Sequence, residues 1–389
     1  MTTEFAADSS SLLLPVAPRR PVLLNDEGSF FVLDGGMGRE IERRGGPFQQ
    51  PEWSALSLME QPDIVQDVHL SFLSAGAQAI ITNTYAVVPF HIGQERYDRE
   101  SKRLLQLAVQ LAMNARNEYC GSQQQQQSNK PLVLGSIPPI CGSYQPELFD
   151  PKQCGPIIDD FMCAYTARHP EQQQQQQKQQ DGKEHGSAEV DGIVLETIGS
   201  SEEARFCLER VLNKFKYKKR IWLSFCLTVE YGYDQPPHLV SGEKLSAAVR
   251  SLSDLMSKVE VVCVNCCDMR LIAPALKELK QVLEEIQQQQ QKDTATAAAT
   301  IPYIGAYPNA FTIPPPDAAN LTLRPVDYNI TPDAFKNMAQ EWIHDAGAKV
   351  IGGCCGVSPD HIRALSSLQK EMHTKMKGEG GGDGNNDDT

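Results

Sequence analysis

Two pairs of adjacent cysteines, Cys266-Cys267 and Cys354-Cys355, stand apart from the seven other cysteines of this chain, which occur singly. Thiolates are soft ligands that suit zinc. Three of them with one coordination position left open form the catalytic kind of zinc site, whereas four protein ligands form the closed, structural kind. Neighbouring side chains on a regular strand point to opposite faces, so Cys354 and Cys355 reach one ion only if the backbone turns between them. Gly352, Gly353 and Gly356 surround the pair and permit such a turn. A Cys-Cys dipeptide taken alone is better explained as apolar packing, because free cysteine is among the most buried residue types. The choice therefore depends on what places the two pairs.

The chain repeats one unit: a short, near-continuously apolar run, a loop, then a segment with helical spacing. The apolar runs are FVLDGG (31–36), AIITNTY (79–85), PLVLGSIP (131–138), GIVLETI (192–198), RIWLSFCL (220–227), VVCVNCC (261–267), YIGAYPN (303–309) and KVIGGCC (349–355). Continuous apolarity is the pattern of parallel strands buried on both faces. Helix starts fall between them: Ser200 with Glu203 is a capping box, and Thr331-Pro332-Asp333 and Ser358-Pro359-Asp360 each open a helix. Eight such units predict an α/β fold, a single-domain (β/α)8 TIM barrel; two doubly wound domains would call for a linker midway, and none is evident. The expected organisation is a flexible leader over 1–28, the barrel over 29–376 and a disordered, acidic, glycine-rich tail over 377–389. Gln runs at 123–127, 172–177 and 287–291 precede the third, fourth and seventh runs. They are expected as low-complexity loop insertions at the structural end of the barrel, remote from chemistry.

Barrel chemistry gathers at the strand C-termini. There the sequence offers Asp34-Gly35-Gly36, Asn83-Thr84-Tyr85, Ser136, Glu196-Thr197, Cys226, Asn265-Cys266-Cys267, Tyr307-Pro308-Asn309 and Gly353-Cys354-Cys355. The sixth and eighth strands are second neighbours around a closed barrel, so their ends can converge on one ion. This frame and the flanking glycines favour zinc, with Cys266, Cys354 and Cys355 as ligands and Cys267 pointing back toward the barrel wall.

These motifs identify the chain as resembling the homocysteine S-methyltransferase family. The resemblance is carried by LDGGMGREIERRG (33–45), TNTY (82–85), ETI (196–198), VNCC (264–267), YPN (307–309) and GGCCG (352–356). It implies zinc on Cys266, Cys354 and Cys355, with the acceptor thiol as fourth ligand. It also implies an acidic residue, Glu196, holding the amino group of homocysteine, with Asp34 sharing that role. Gly35 and Gly36 would let backbone N–H groups approach the amino-acid carboxylate, and Asn265 would orient the thiolate or substrate, or serve structurally. A cationic methyl donor calls for aromatic faces, for which Trp53 and Tyr85 are the candidates. The expected reaction is methyl transfer to L-homocysteine from S-methylmethionine or S-adenosylmethionine. Betaine as donor, selenocysteine as acceptor and a zinc-binding barrel without turnover are the alternatives.

Composition narrows the partners. With 36 Lys+Arg against 49 Asp+Glu, the net charge is −13 and no basic cluster is present to neutralise phosphates, so nucleic acid is not expected. No run of 18 or more apolar residues suggests a membrane span. The remaining expectation is a cytoplasmic monomer acting on small molecules, because betaine enzymes of the family carry a long C-terminal dimerisation extension and only a short segment follows Cys355 here.

Overall fold

A computed structural model describes residues 30–123, 130–166, 189–293, 301–311 and 326–379. The strands are β1 (Phe31–Val32), β2 (Ala79–Ile81), β3 (Leu132–Ile137), β4 (Gly192–Ile198), β5 (Arg220–Thr228), β6 (His238–Leu239), β7 (Val261–Asp268), β8 (Tyr303–Asn309) and β9 (Val350–Ile351). Eight of them are parallel and follow the order β1-β9-β8-β7-β5-β4-β3-β2, and a bridge between Leu33 and Ala79 joins the two ends of that order. The ring is a (β/α)8 barrel. Each expected apolar run supplies one of its strands, and β6 is an extra, antiparallel partner of β5.

Side-chain alternation divides the strands between two cores. Phe31, Leu134, Val194, Trp222, Val261, Cys263, Tyr307 and Val350 fill the barrel interior. Their neighbours Val32, Val133, Ile193, Leu195, Leu223, Val262 and Val264 pack outward against the helices. Trp222 is the largest interior side chain; its ring meets Phe31 edge-on at 6.0 Å, and its indole N–H donates to Glu260 at 3.0 Å. A buried indole with a satisfied donor suits the barrel floor, where an unpaired N–H would be costly.

The helices that bear on the site are α1 (Met37–Arg43), α2 (Ala55–Glu60), α3 (Pro62–Ala75), α4 (Pro89–Ile92), α5 (Gln94–Gln123), α6 (Pro151–Thr166), α7 (Ser201–Glu209), α8 (Leu245–Ser251), α9 (Ile272–Asp293), α10 (Pro332–His344) and α11 (Pro359–Glu379). The expected caps form: Ser200 accepts from the Glu203 N–H at 3.2 Å, and Thr331 from the Ala334 N–H at 3.2 Å. Gln287–Gln291 is not a loop insertion but the last part of α9. Glutamine is a fair helix former, and the run simply prolongs the helix after its apolar stripe ends. It still precedes a strand, at the end of the barrel opposite the cysteines. The run at 172–177, most of the run at 123–127 and the leader lie outside the described residues, as does the tail from 380 onward; α11 continues to Glu379, past the expected boundary at 376. Among the described residues no helix is long and apolar enough to cross a membrane.

Replacing Trp222 with alanine is expected to lower stability by about 3–5 kcal/mol. Denaturant unfolding would show this as an earlier midpoint; a loss under about 1 kcal/mol would mean that the interior is not packed around this ring.

Candidate active site

Cys266 owes its position to an irregularity in β7. Strict alternation would send it outward with Val262 and Val264. Between Asn265 and Asp268, however, the register against β8 shifts by one residue, and Cys266 takes a left-handed backbone conformation at φ 52°. Such a bulge re-aims a side chain, here turning Cys266 to the barrel mouth while Cys267 packs outward in the helix layer. A second bulge interrupts β4 between Leu195 and Ile198, with Thr197 at φ 61° beside Glu196. Left-handed Cys and Thr are strained, and strain of this kind persists where the surroundings over-determine it. Asn265 does that work. Its carbonyl oxygen accepts from the Thr197 N–H at 2.9 Å and the Ser224 hydroxyl at 2.7 Å, and its amide donates to the Thr197 hydroxyl at 2.9 Å. It is wholly buried and ties the two bulges together across β5, so its hydrogen bonds go to neither thiolate nor substrate.

Cys354 and Cys355 follow β9 in a turn that leans on the end of β1. The Gly353 N–H donates to the Asp34 carbonyl, the Gly36 N–H to the Val357 carbonyl, the Cys354 N–H to the Pro308 carbonyl and the Ala310 N–H to the Cys355 carbonyl, all at 2.8–2.9 Å. A Cβ on Gly36 would lie 2.5 Å from the Cys354 carbonyl oxygen, and one on Gly35 2.6 Å from that of Val357. Gly36 is therefore glycine because two backbones touch. Its N–H is already engaged, which corrects the expectation that it receives a substrate carboxylate. Gly356 adopts φ +86°, the turn conformation expected of it.

The result is that the sulfurs of Cys266, Cys354 and Cys355 all lie within 4.8 Å of one another. Cys266 and Cys354 are 2.9 Å apart, and Cys354 and Cys355 4.0 Å. Tetrahedral zinc with Zn–S bonds of about 2.3 Å spaces its sulfurs by about 3.8 Å, so the second pair matches directly and the first must part by roughly 0.9 Å. Burial and mutual contact favour the neutral thiols: Cys354 is raised by its bonds to Cys266 and Cys355. The Cys266 thiol is lowered by the Cys354 bond but raised further by Cys355 and burial, to about 12. Three soft donors, of which Cys266 and Cys354 resist ionising alone, are a donor set suited to a thiophilic cation.

Around them lies a cavity of about 180 Å³ lined by Asp34, Gly35, Gly36, Trp53, Tyr85, Glu196 and the three cysteines, so every expected binding residue is brought together there; of the expected set only Asn265 stands behind the wall. Glu196 accepts from the Ser136 hydroxyl, and burial lifts its carboxyl to about 7. Asp34 accepts from the Ile81 N–H at 2.8 Å and is raised by burial, with the neighbouring Glu196 charge adding to the rise. Trp53 meets Phe48 edge-on at 5.5 Å, and its loop is held by the Asn83 amide, which donates to the Ser54 carbonyl at 3.1 Å. The Tyr85 and Ser143 hydroxyls are hydrogen-bonded at 2.7 Å. His91, also in the wall, is kept neutral by burial, which lowers it to about 4. Sequence reasoning missed Tyr144, whose hydroxyl donates to the Cys266 carbonyl at 3.4 Å, and Met37, Arg39, Phe48 and Phe311, which complete the lining. Met37 and Arg39 were within reach, since they directly follow the Asp34-Gly35-Gly36 motif.

A (β/α)8 barrel with a three-thiol centre at the C-terminal ends of its strands is the class that fold and site define. Residues 31–368 match the family described as homocysteine S-methyltransferase. The chain is 30% identical to homocysteine S-methyltransferase 1 of Zea mays over 347 residues, covering 88% of this chain and 95% of that protein. It is 27% identical to the selenocysteine Se-methyltransferase of Brassica oleracea var. italica over 350 residues, covering 88% and 90%. The metallated crystal form of the homocysteine methyltransferase MmuM from Escherichia coli shares the fold with a TM-score of 0.59 at 24% identity, over 87% of this chain and 96% of that one. The chain belongs to the homocysteine S-methyltransferase family, and is a methyltransferase by that membership.

Because a methyl group on Gly36 has no room against the Cys354 carbonyl, Gly36→Ala is expected to displace the cysteine turn at a cost of about 1–3 kcal/mol. Thermal and denaturant melts of the two proteins would measure it; equal stabilities would show that the contact is slack.

Proposed function

We propose that this protein transfers a methyl group from a sulfonium donor, S-methylmethionine or S-adenosylmethionine, to the thiol of L-homocysteine, giving L-methionine. One observation carries the reading: three cysteine sulfurs converge in a cavity that also holds two buried carboxylates and two aromatic walls. Cys266, Cys354 and Cys355 would hold zinc. Zinc supplies the means to keep a bound thiol as thiolate at neutral pH, so that no protein base is needed.

The remaining work falls to the chain's own residues. Glu196, fixed by Ser136, accepts the α-ammonium group of homocysteine, and Asp34, after β1 on the same barrel mouth, shares it. Holding that group orients the acceptor sulfur for in-line attack on the methyl carbon, and positioning of two reactants supplies much of the acceleration in reactions of this type. Trp53 and Tyr85 present aromatic faces to the donor cation. Selenocysteine is the second acceptor we propose, favoured by the selenocysteine methyltransferases among the relatives. A selenolate asks nothing of the site that a thiolate does not. Eleven cysteines with no disulfide bond among them fit a reducing, cytoplasmic setting.

Cys354→Ala is expected to lose bound zinc and methionine formation together, as read by metal analysis and product assay; retained activity without metal would sink the mechanism. Glu196 must be a carboxylate to bind an ammonium group, and its carboxyl sits near 7. KM for homocysteine should therefore rise as pH falls through 7 and level off above it. In Glu196→Gln, KM should be raised about 10–100-fold, as for a lost charged hydrogen bond, with that pH dependence gone. An unchanged profile in the variant would remove Glu196 from the acceptor site.

A further inference from the structure

A second pair of sulfurs meets outside the three-thiol centre. Cys141, in the loop after β3, and Cys154, in the first turn of α6, have sulfurs 2.6 Å apart. Non-bonded sulfurs ordinarily keep a wider separation, while a disulfide needs about 2.05 Å, so half an ångström of movement joins them. Cys154 is fully buried and Cys141 half-buried. Cys141 keeps part of its surface exposed, beside a narrow crevice that it shares with Pro139, Tyr144, Pro146, Thr197 and Glu203. One thiol is therefore reachable and the other waits behind it, which is the arrangement of an attacking and a resolving cysteine.

The short stretch between them is part of the active-site wall. Ser143 bonds the Tyr85 hydroxyl, and Tyr144, at φ 63°, reaches the carbonyl of Cys266. We propose that Cys141 and Cys154 form a redox-active dithiol whose oxidation to a disulfide pins the Ser143-Tyr144 wall against the three-thiol centre. The hydrogen bond from Cys154 draws the Cys141 thiol down to about 7, which makes Cys141 the nucleophile at neutral pH. With a disulfide oxidant such as oxidised glutathione, the Cys141 thiolate attacks one glutathione sulfur, forms a mixed disulfide and releases one glutathione thiolate. Cys154 then attacks the Cys141 sulfur, its proton passing to the second glutathione as that leaves as a thiol. Two protein thiols are oxidised, and one glutathione disulfide is reduced to two thiols. Because the sulfurs touch while the wall is assembled, the bond captures that wall rather than dismantling it.

The test treats the zinc-loaded full-length protein with oxidised glutathione. Non-reducing peptide mass spectrometry then finds the crosslinks, and amide hydrogen exchange follows residues 142–150. The expected result is a Cys141–Cys154 crosslink as the principal product, with exchange in that stretch slowed about tenfold and restored by dithiothreitol. Cys154→Ser should abolish both changes; should that buried substitution impair folding, Cys141→Ser at the half-buried partner tests the same point. A glutathione adduct left on Cys141 without a crosslink, or crosslinks confined to Cys266, Cys354 and Cys355, would overturn the dithiol. A crosslink that leaves exchange unchanged would overturn the pinning of the wall.

Discussion

The position of the sulfurs rests on the seam where the last barrel strand meets the first. Leu33 and Gly353 donate their N–H groups to the carbonyls of Ile351 and Asp34, and the Gly36 N–H closes on Val357 beyond the turn. These bonds form only if no side chain stands between the backbones, and Gly35, Gly36, Gly352 and Gly353 all sit where a Cβ would collide. The same seam fixes Asp34 at the end of β1 and Cys354 and Cys355 after β9, so carboxylate and thiols share one scaffold. From the other side, Pro308 near the end of β8 and Ala310 just after it hold the backbone of the cysteine turn. Closing the barrel and assembling the site are thus one event.

A second constraint is electrostatic. Asp34, Glu196, Cys266 and Cys354 are all pushed toward their neutral forms, by burial and by one another. A cluster of would-be anions inside a wall of aromatic and aliphatic groups is stabilised by cations and by little else. A divalent metal, an ammonium group and a sulfonium centre are all cations, and the site offers a distinct set of atoms to each. In the function proposed above, the thiols would face the metal, the carboxylates the ammonium, and the faces of Trp53 and Tyr85 the methyl donor.

Much of this was legible in the sequence because it depends on patterns a sequence can carry. Strands buried on both faces read as continuous apolar runs, and all eight barrel strands were found that way. The cysteine pairs and acidic residues followed once strand ends were known. What was hidden depends on backbone geometry rather than composition. No residue pattern announces that Cys266 and Thr197 adopt left-handed conformations, yet those two bulges decide which way Cys266 and its neighbours face. Asn265 looked like a group beside the chemistry, and its role in bridging the bulges appears only when β4, β5 and β7 are side by side. Gly36 looked like a donor of an N–H and is a point of contact. Tyr144 and Phe311 come from loops whose course over the barrel mouth local sequence does not dictate.

As proposed, Cys266, Cys354 and Cys355 hold a metal and leave one position for the acceptor. X-ray absorption at the zinc edge tests it most directly, comparing the zinc-loaded protein before and after homocysteine is added. The expected spectrum shows a shell of three sulfurs and one lighter atom that becomes four sulfurs with substrate. A shell already closed by four protein ligands, or one that gains no sulfur when homocysteine binds, would contradict it.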